Sequence, residues 1–185
     1  MNQNKNPIII GKEKFVPYLT EEKIQKRVKE LAEQISEDYK NKVPIFIGVL
    51  NGSFLFMADL VKSLSIDCEI DFFKLSSYGD EKISSGKVTL LKELNCDVSG
   101  RDIIIVEDIV DTGLSVKYIE EYFQLHKPAS MKVISLLYKP ESLTYKVKID
   151  YIGFSIPSKF VIGYGLDYAQ KYRNLRSIYV PIGDN

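Results

Sequence analysis

From Thr20 onward apolar residues recur at three- and four-residue steps: Ile24, Val28, Leu31 and Ile35 within TEEKIQKRVKELAEQISEDYK. That spacing predicts an amphipathic helix with a solvated charged face, Thr20 as N-cap, and Glu21 and Glu22 in the first turn. The period then changes. Residues 43–50 (VPIFIGVL) are apolar almost throughout and end at Asn51-Gly52-Ser53, after which helical spacing resumes from Phe54 to Leu64, predicting strand, tight turn and helix. Residues 69–75 and 87–94 predict strands, and the polar stretch 76–87 between them reads as a mobile, hairpin-like loop. A buried strand follows at 101–106, then a loop and a helix from about Ser115 to His126 that closes at Lys127-Pro128. Residues 131–138, 150–156, 160–164 and 177–182 predict further short strands. Apolar strands alternating with helices imply an α/β fold with a mainly parallel sheet flanked by helices on both faces.

Composition narrows this picture. The chain has 185 residues, 45% hydrophobic and 27% charged, which fits one compact domain over 1–185 and excludes a disordered, fibrous or coiled-coil chain. Lys and Arg total 25 and Asp and Glu total 25, so no overall field holds a polyanion; nucleic acid and acidic membrane are not expected partners. Any bound anion must be gripped locally. Only Arg27, Arg101, Arg173 and Arg176 are arginine, making each a candidate for a specific bidentate contact. Cys68 and Cys96 form no CxxC and suggest neither a disulfide framework nor a zinc site; they read as buried small apolar residues in a reducing, cytoplasmic setting. The start, MNQNKNPIII, lacks a signal-type apolar region, and no stretch approaches a membrane span. His126, the single histidine, is expected at a helix C-terminus rather than in chemistry.

The chemistry concentrates at Val106-Glu107-Asp108-Ile109-Val110-Asp111-Thr112-Gly113-Leu114-Ser115. Paired carboxylates follow an apolar strand, a third follows, and small and hydroxylated residues open a helix. The carboxyl end of a sheet strand and a helix N-terminus are where α/β folds hold ligands and phosphates. Thr112 and Ser115 add hydroxyl donors there, and Gly113 permits close approach. The acids must face something other than the phosphate: vicinal hydroxyls of a sugar, or a hard cation such as Mg²⁺. Together these features describe recognition of a ribose 5-phosphate.

The run IIIVEDIVDTGLS resembles the phosphoribosyl pyrophosphate (PRPP) signature of type I phosphoribosyltransferases. Leu50-Asn51-Gly52-Ser53, Ser76-Ser77-Tyr78-Gly79, Ser135-Leu136-Leu137-Tyr138-Lys139, and the run Lys159 to Tyr168 (KFVIGYGLDY) followed by Arg173 resemble its hypoxanthine-guanine branch, in order, over about residues 43 to 182. The resemblance implies the family's fold, with a small hood and a mobile active-site loop, and transfer of the phosphoribosyl group from PRPP to hypoxanthine or guanine in purine salvage. Glu107 and Asp108 would bind the ribose hydroxyls directly or through Mg²⁺, and Asp111 would be the general base. The segment Asp111 to Ser115, with Thr112, Gly113 and Leu114, would hold the 5′-phosphate. Lys139 would donate to the 6-oxo group, Phe160 would stack on the base and Val161 would offer its backbone. Asp167 would coordinate a second Mg²⁺ at the pyrophosphate, Arg173 would pair with pyrophosphate oxygens together with the backbone at Asn51 and Gly52, and Ser77 and Tyr78 would close over the site. A homodimer or homotetramer is implied as well.

Asn51 departs from the lysine common in that family, a tolerable replacement if the contact there is made by backbone. Read singly, Phe160 is a core residue and Asp167 with Arg173 a surface ion pair of little worth. The competing functions are a xanthine-preferring transferase and a non-catalytic regulator that binds nucleic acid. Zero net charge and the joint presence of Asp111, Lys139 and Arg173 oppose the regulator.

Overall fold

The computed structural model describes residues 6–77, 88–92 and 94–182. Among these, six strands form a central sheet in the order β5-β4-β3-β6-β7-β8: β3 (Ile45–Leu50), β4 (Glu69–Ser77), β5 (Val88–Lys92), β6 (Asp102–Val110), β7 (Ser130–Tyr138) and β8 (Tyr151–Ser155). Neighbours run parallel except β5, which pairs antiparallel with β4 at the edge. The inner strands are buried on both faces, β3 from Ile45 to Val49 and β6 from Ile103 to Glu107, which is why they read as continuous apolar runs.

Alternate residues sort into two cores. Phe46, Ile104, Val106, Ile134 and Leu136 pack with α1 (Glu21–Asp38) and α2 (Phe54–Ser63). Ile45, Ile47, Ile103, Ile105 and Val133 pack on the other face with α3 (Leu114–His126), which buries Val116, Ile119 and Phe123. Each such side chain contributes about 1.5 to 3 kcal/mol when fully buried. In α1 the expected stripe of Ile24, Val28, Leu31 and Ile35 is buried, and the Thr20 hydroxyl accepts from the Lys23 N–H at 3.4 Å.

A second, antiparallel sheet joins β1 (Ile8–Ile10) and β2 (Glu13–Leu19) to β9 (Ile178–Pro181), around Ile10, Phe15, Ile162 and Tyr179. This is the small hood. Its N-terminal hairpin escapes a reading by alternation because Phe15 alone in β2 is fully buried and Pro17 interrupts the strand. Residues 160–164, expected as a strand, form a loop with two isolated bridges, Ile162 to Tyr179 and Gly163 to Leu166. Gly163, Tyr164 and Gly165 have φ of 96°, 50° and 100°, a left-handed run that no strand can contain.

Cys68 and Cys96 are half-buried rather than buried, since they sit in connections flanking β4 and β5, and both are free thiols. His126 meets its expectation: it stacks on Tyr122 with centroids 4.4 Å apart, and its Nδ1 lies 2.9 Å from the Tyr122 carbonyl oxygen in the last turn of α3. Among the described residues no helix is long and apolar enough to cross a membrane.

Candidate active site

Three segments converge at the carboxyl ends of the parallel strands: the turn 51–53 after β3, residues 107–115 from β6 into α3, and the loop 160–173. At the last turn of β6 the chain passes through Asp111 and Thr112, and Gly113 takes φ 83° immediately before α3. The Thr112 carbonyl accepts from Thr144 and Tyr145 N–H, both at 3.0 Å, and its hydroxyl accepts from Leu114 N–H at 3.3 Å, so the turn is fixed from two sides. The first turn of α3 carries no acidic residue, leaving the positive end of the helix dipole available to an anion. A hollow of about 90 Å³ lies there, lined by Glu107, Asp111, Thr112, Gly113, Leu114 and Ser115. A cleft of about 360 Å³ shares Glu107, Thr112, Leu114 and Ser115 with it and extends to Gly52 and Asp108.

The paired acids are held in different ways. Glu107 is 4% exposed, and its Oε1 has no hydrogen-bond partner among the described residues. Burial, reinforced by the Asp108 charge, raises its pKa well above the ordinary carboxyl value. Asp108 is pushed up to about 6, mainly by burial, with its own and the Ile109 N–H and the Arg173 charge opposing the rise. Its carboxylate lies so close against Gly52 that a β-carbon there would overlap it. A buried acid lacking a partner is costly, and a ligand hydroxyl or a hydrated cation at the cleft would relieve that cost.

Across the site Lys139 Nζ donates to Asp111 Oδ2 at 2.7 Å; the lysine is buried and the aspartate is half exposed. Lys139 is set by its own N–H, which donates to the Val110 carbonyl at 3.0 Å. Phe160 is 44% exposed, contrary to the core reading, and meets Tyr168 edge-to-face with centroids 5.7 Å apart. Val161 has its side chain in the core, so it can offer a ligand only backbone. Asp167 and Arg173 do pair, at 2.8 Å, while Arg173 also donates to the Gly165 carbonyl at 2.8 Å and Asp167 accepts from the Gln170 N–H at 2.8 Å. The charges of Arg173 and Asp167 both act on Asp108, which places the pair beside the acids.

The structure thus brings together Gly52, Asp108, Asp167 and Arg173, and separately Asp111 with Lys139. Asn51 is exposed on the turn, whose Leu50–Asn51 peptide is cis. Ser77 ends β4, and Tyr78 and the remainder of the expected closing loop lie outside the described residues. Among the described residues no three Asp, Glu, His or Cys side chains converge as a metal cage, so Glu107, Asp108 and Asp167 do not form one by themselves. Tyr168 and Gly165 join the site without having been singled out from sequence, although both stand inside the KFVIGYGLDY run.

A family model described as the phosphoribosyl transferase domain matches residues 18–169. The hypoxanthine-guanine phosphoribosyltransferase of Bacillus subtilis (strain 168) is 48% identical over 162 residues, 88% of this chain and 90% of that protein. Its counterpart in Streptococcus pyogenes serotype M3 is 46% identical over 156 residues, covering 84% and 87%. Among solved structures, a hypoxanthine-guanine phosphoribosyltransferase from Bacillus anthracis superposes with TM-score 0.84 at 43% identity, covering 89% of this chain and 96% of that one. A hypoxanthine phosphoribosyltransferase from Staphylococcus aureus gives TM-score 0.85 at 41% identity, covering 89% and 90%.

Proposed function

The chain belongs to the phosphoribosyltransferase family, and from that premise we propose how its residues divide the work of moving a phosphoribosyl group onto a purine. The enzyme takes PRPP and hypoxanthine or guanine and yields the nucleoside monophosphate and pyrophosphate, a purine-salvage reaction. The observation that carries the assignment of roles is the unpartnered, buried Glu107 oxygen beside Asp108, at the foot of a helix N-terminus free of acids. Sugar hydroxyls on one side and a 5′-phosphate on the other satisfy both features at once.

The purine nitrogen attacks ribose C1 as the bond from C1 to pyrophosphate breaks, so positive charge grows on the sugar and negative charge on the leaving group. N–H groups and hydroxyls from Asp111 to Ser115 hold the 5′-phosphate, and Glu107 and Asp108 fix the ribose. Arg173 and the backbone of Asn51 and Gly52 take the pyrophosphate oxygens. Lys139 turns from Asp111 to the 6-oxo oxygen of the base, which frees Asp111 to receive the imidazole proton. One positioned base of this kind contributes about 10² to 10⁴ in rate, or about 3 to 5 kcal/mol. Phe160, bounded by Tyr168, stacks on the base and keeps water from C1, and Val161 meets the far edge through its backbone. Ser77 and Tyr78 are assigned to covering the site.

The donor set fits Mg²⁺: hard oxygens only, one of them buried and unpartnered, with too few carboxylates for a cage, as expected of an ion that keeps substrate oxygens among its ligands. Glu107 and Asp108 would hold one such ion and Asp167 a second, and the metal would supply neutralisation of the pyrophosphate charge. The whole chain acts as one unit, in a reducing cytoplasm that suits its two free thiols. Exposed Ile70 on β4 and Phe54 on α2 are apolar side chains that a second copy could cover in a homodimer or homotetramer. Initial rates with hypoxanthine, guanine, xanthine and adenine, each with PRPP and Mg²⁺, test the assignment. Transfer confined to xanthine, or tight nucleic-acid binding without transfer, would overturn it.

A further inference from the structure

Loop 160–173 holds non-glycine residues in left-handed backbone at Tyr164 (φ 50°), Ala169 (50°), Gln170 (64°) and Tyr172 (71°). Such conformations are strained for L-residues and persist where surrounding contacts over-determine them. Arg173 braces the loop from within, through the Gly165 carbonyl at 2.8 Å, Gln170 Oε1 at 3.1 Å and Asp167 at 2.8 Å. Outward, the loop is tied to α2 and the turn before it. Gly165 packs so tightly that a β-carbon on it would overlap the Gly52 carbonyl oxygen. The hydroxyl of Tyr164, a side chain only 3% exposed, donates to Asp59 Oδ2 at 2.8 Å.

Asp59 stands on α2 about two turns beyond Gly52. It also accepts from Gln25 of α1 at 2.6 Å and Lys62 at 2.7 Å. With Tyr164 and Gln25 it lines a separate hollow of about 680 Å³, away from the paired acids, so Asp59 does not face the cleft.

We propose that Asp59 is a positioning residue for the pyrophosphate end of the site: through the Tyr164 hydroxyl it clamps residues 164–173 to α2 and so sets Arg173 and Asp167 against the Asn51–Ser53 turn. This rests on the assignment of that cleft to PRPP. The two halves of the pyrophosphate subsite are more than a hundred residues apart in sequence, so their spacing depends on whatever joins them in space. Charge-bearing contacts lose about a hundredfold for a displacement near 1 Å, and this tie is the lever on that displacement. Asp111 and Lys139 follow directly on β6 and β7, and Phe160 and Val161 precede Tyr164 on a stretch held separately by the Val161 side chain in the core and the Ile162 bridge to Tyr179, so the purine contacts do not pass through it.

Tyr164→Phe removes only the hydroxyl, Asp59→Ala removes the acceptor, and Asp59→Asn keeps an acceptor oxygen. KM for PRPP, KM for hypoxanthine, the inhibition constant of inorganic pyrophosphate and the melting temperature are measured for each. Tyr164→Phe and Asp59→Ala should raise PRPP KM and the pyrophosphate constant about tenfold with hypoxanthine KM within about twofold. Asp59→Asn should recover most of the loss, and the Asp59→Ala/Tyr164→Phe double variant should be no worse than either alone. Unchanged PRPP KM in folded Tyr164→Phe, or both KM values moving in step with a lowered melting temperature, would reduce the pair to a structural anchor and overturn the proposal. Wild-type turnover separates the two readings: a wild type inert toward every purine would bring down the PRPP assignment and this inference with it, whereas an active wild type with unaffected variants would bring down the inference alone.

Discussion

Asp71 is a carboxylate whose removal should weaken the edge of the sheet measurably. It lies on β4, 7% exposed, and accepts from Phe72 N–H at 2.7 Å, Asn95 N–H at 2.6 Å, Asn95 Nδ2 at 3.3 Å, Cys96 N–H at 3.2 Å and Lys92 Nζ at 3.2 Å. These bonds pin the chain leaving β5 onto the edge of the sheet. Burial by itself would raise the Asp71 pKa, but the backbone N–H groups and Lys92 outweigh burial and hold it at about 2. Relative to an ordinary carboxyl near 4, that depression corresponds to about 2 to 3 kcal/mol of folding stability at neutral pH. The folded pKa lies below the unfolded one, so the contribution is complete above about pH 5 and is lost as pH falls from about 4 toward 2. Urea unfolding of the wild type and Asp71→Asn at pH 7 and pH 3 tests it. The variant should be about 2 to 3 kcal/mol less stable at pH 7, and the gap should shrink at pH 3. An equal gap at both pH values would refute the reasoning, because the carboxylate's charge would then not be what the donors stabilise.

Asp111→Asn should lower kcat by about 10² to 10⁴ with a modest change in PRPP KM, and an unaltered single-turnover rate would remove it as the base. Lys139→Ala should raise KM for hypoxanthine about 10- to 100-fold, as expected when a charged donor to the 6-oxo group is lost; equal hypoxanthine use before and after would contradict the role. Gly52→Ala should raise PRPP KM at least about tenfold, since its β-carbon would push the Asp108 carboxylate out of place, whereas Asn51→Lys should leave PRPP KM within about threefold. A large gain in affinity from Asn51→Lys would show that the side chain, not the backbone, governs that turn.

Periodicity made the sheet and its helices legible because the inner strands are buried on both faces and Ile24, Val28, Leu31 and Ile35 share one stripe. It missed the hood hairpin, where Phe15 alone is fully buried within β2, and it took 160–164 for a strand because an apolar composition does not reveal left-handed φ at Tyr164. The 107–115 site was legible since its chemistry is local: acids, a left-handed glycine and a helix start lie within nine residues. Asp59 gave no such signal. An aspartate at an outward helical position looks like any solvated one, and its partner Tyr164 is 105 residues away. Asp167 with Arg173 was legible as a pair, but the placement of that pair beside Asp108 depends on the fold.

Within the site Lys139 is paired with Asp111 and Arg173 with Asp167. Each substrate must therefore exchange a protein pair for a protein–ligand contact, and the two exchanges are unequal. The Arg173–Asp167 pair is partly open to water, and its arginine has further donors already spread over the Gly165 carbonyl and Gln170. Pyrophosphate can add to that arrangement without stranding a charge. Lys139 is 7% exposed, so drawing it off Asp111 leaves a buried ammonium that needs an acceptor at once. A 6-oxo oxygen provides one, whereas the 6-amino group of adenine would set donor against donor. On the role proposed for Lys139, discrimination against adenine would come from the cost of unpairing it as much as from the bond that 6-oxopurines gain. Sites built on buried hydrogen-bonding groups reject the mismatched ligand in this way more strongly than apolar pockets do.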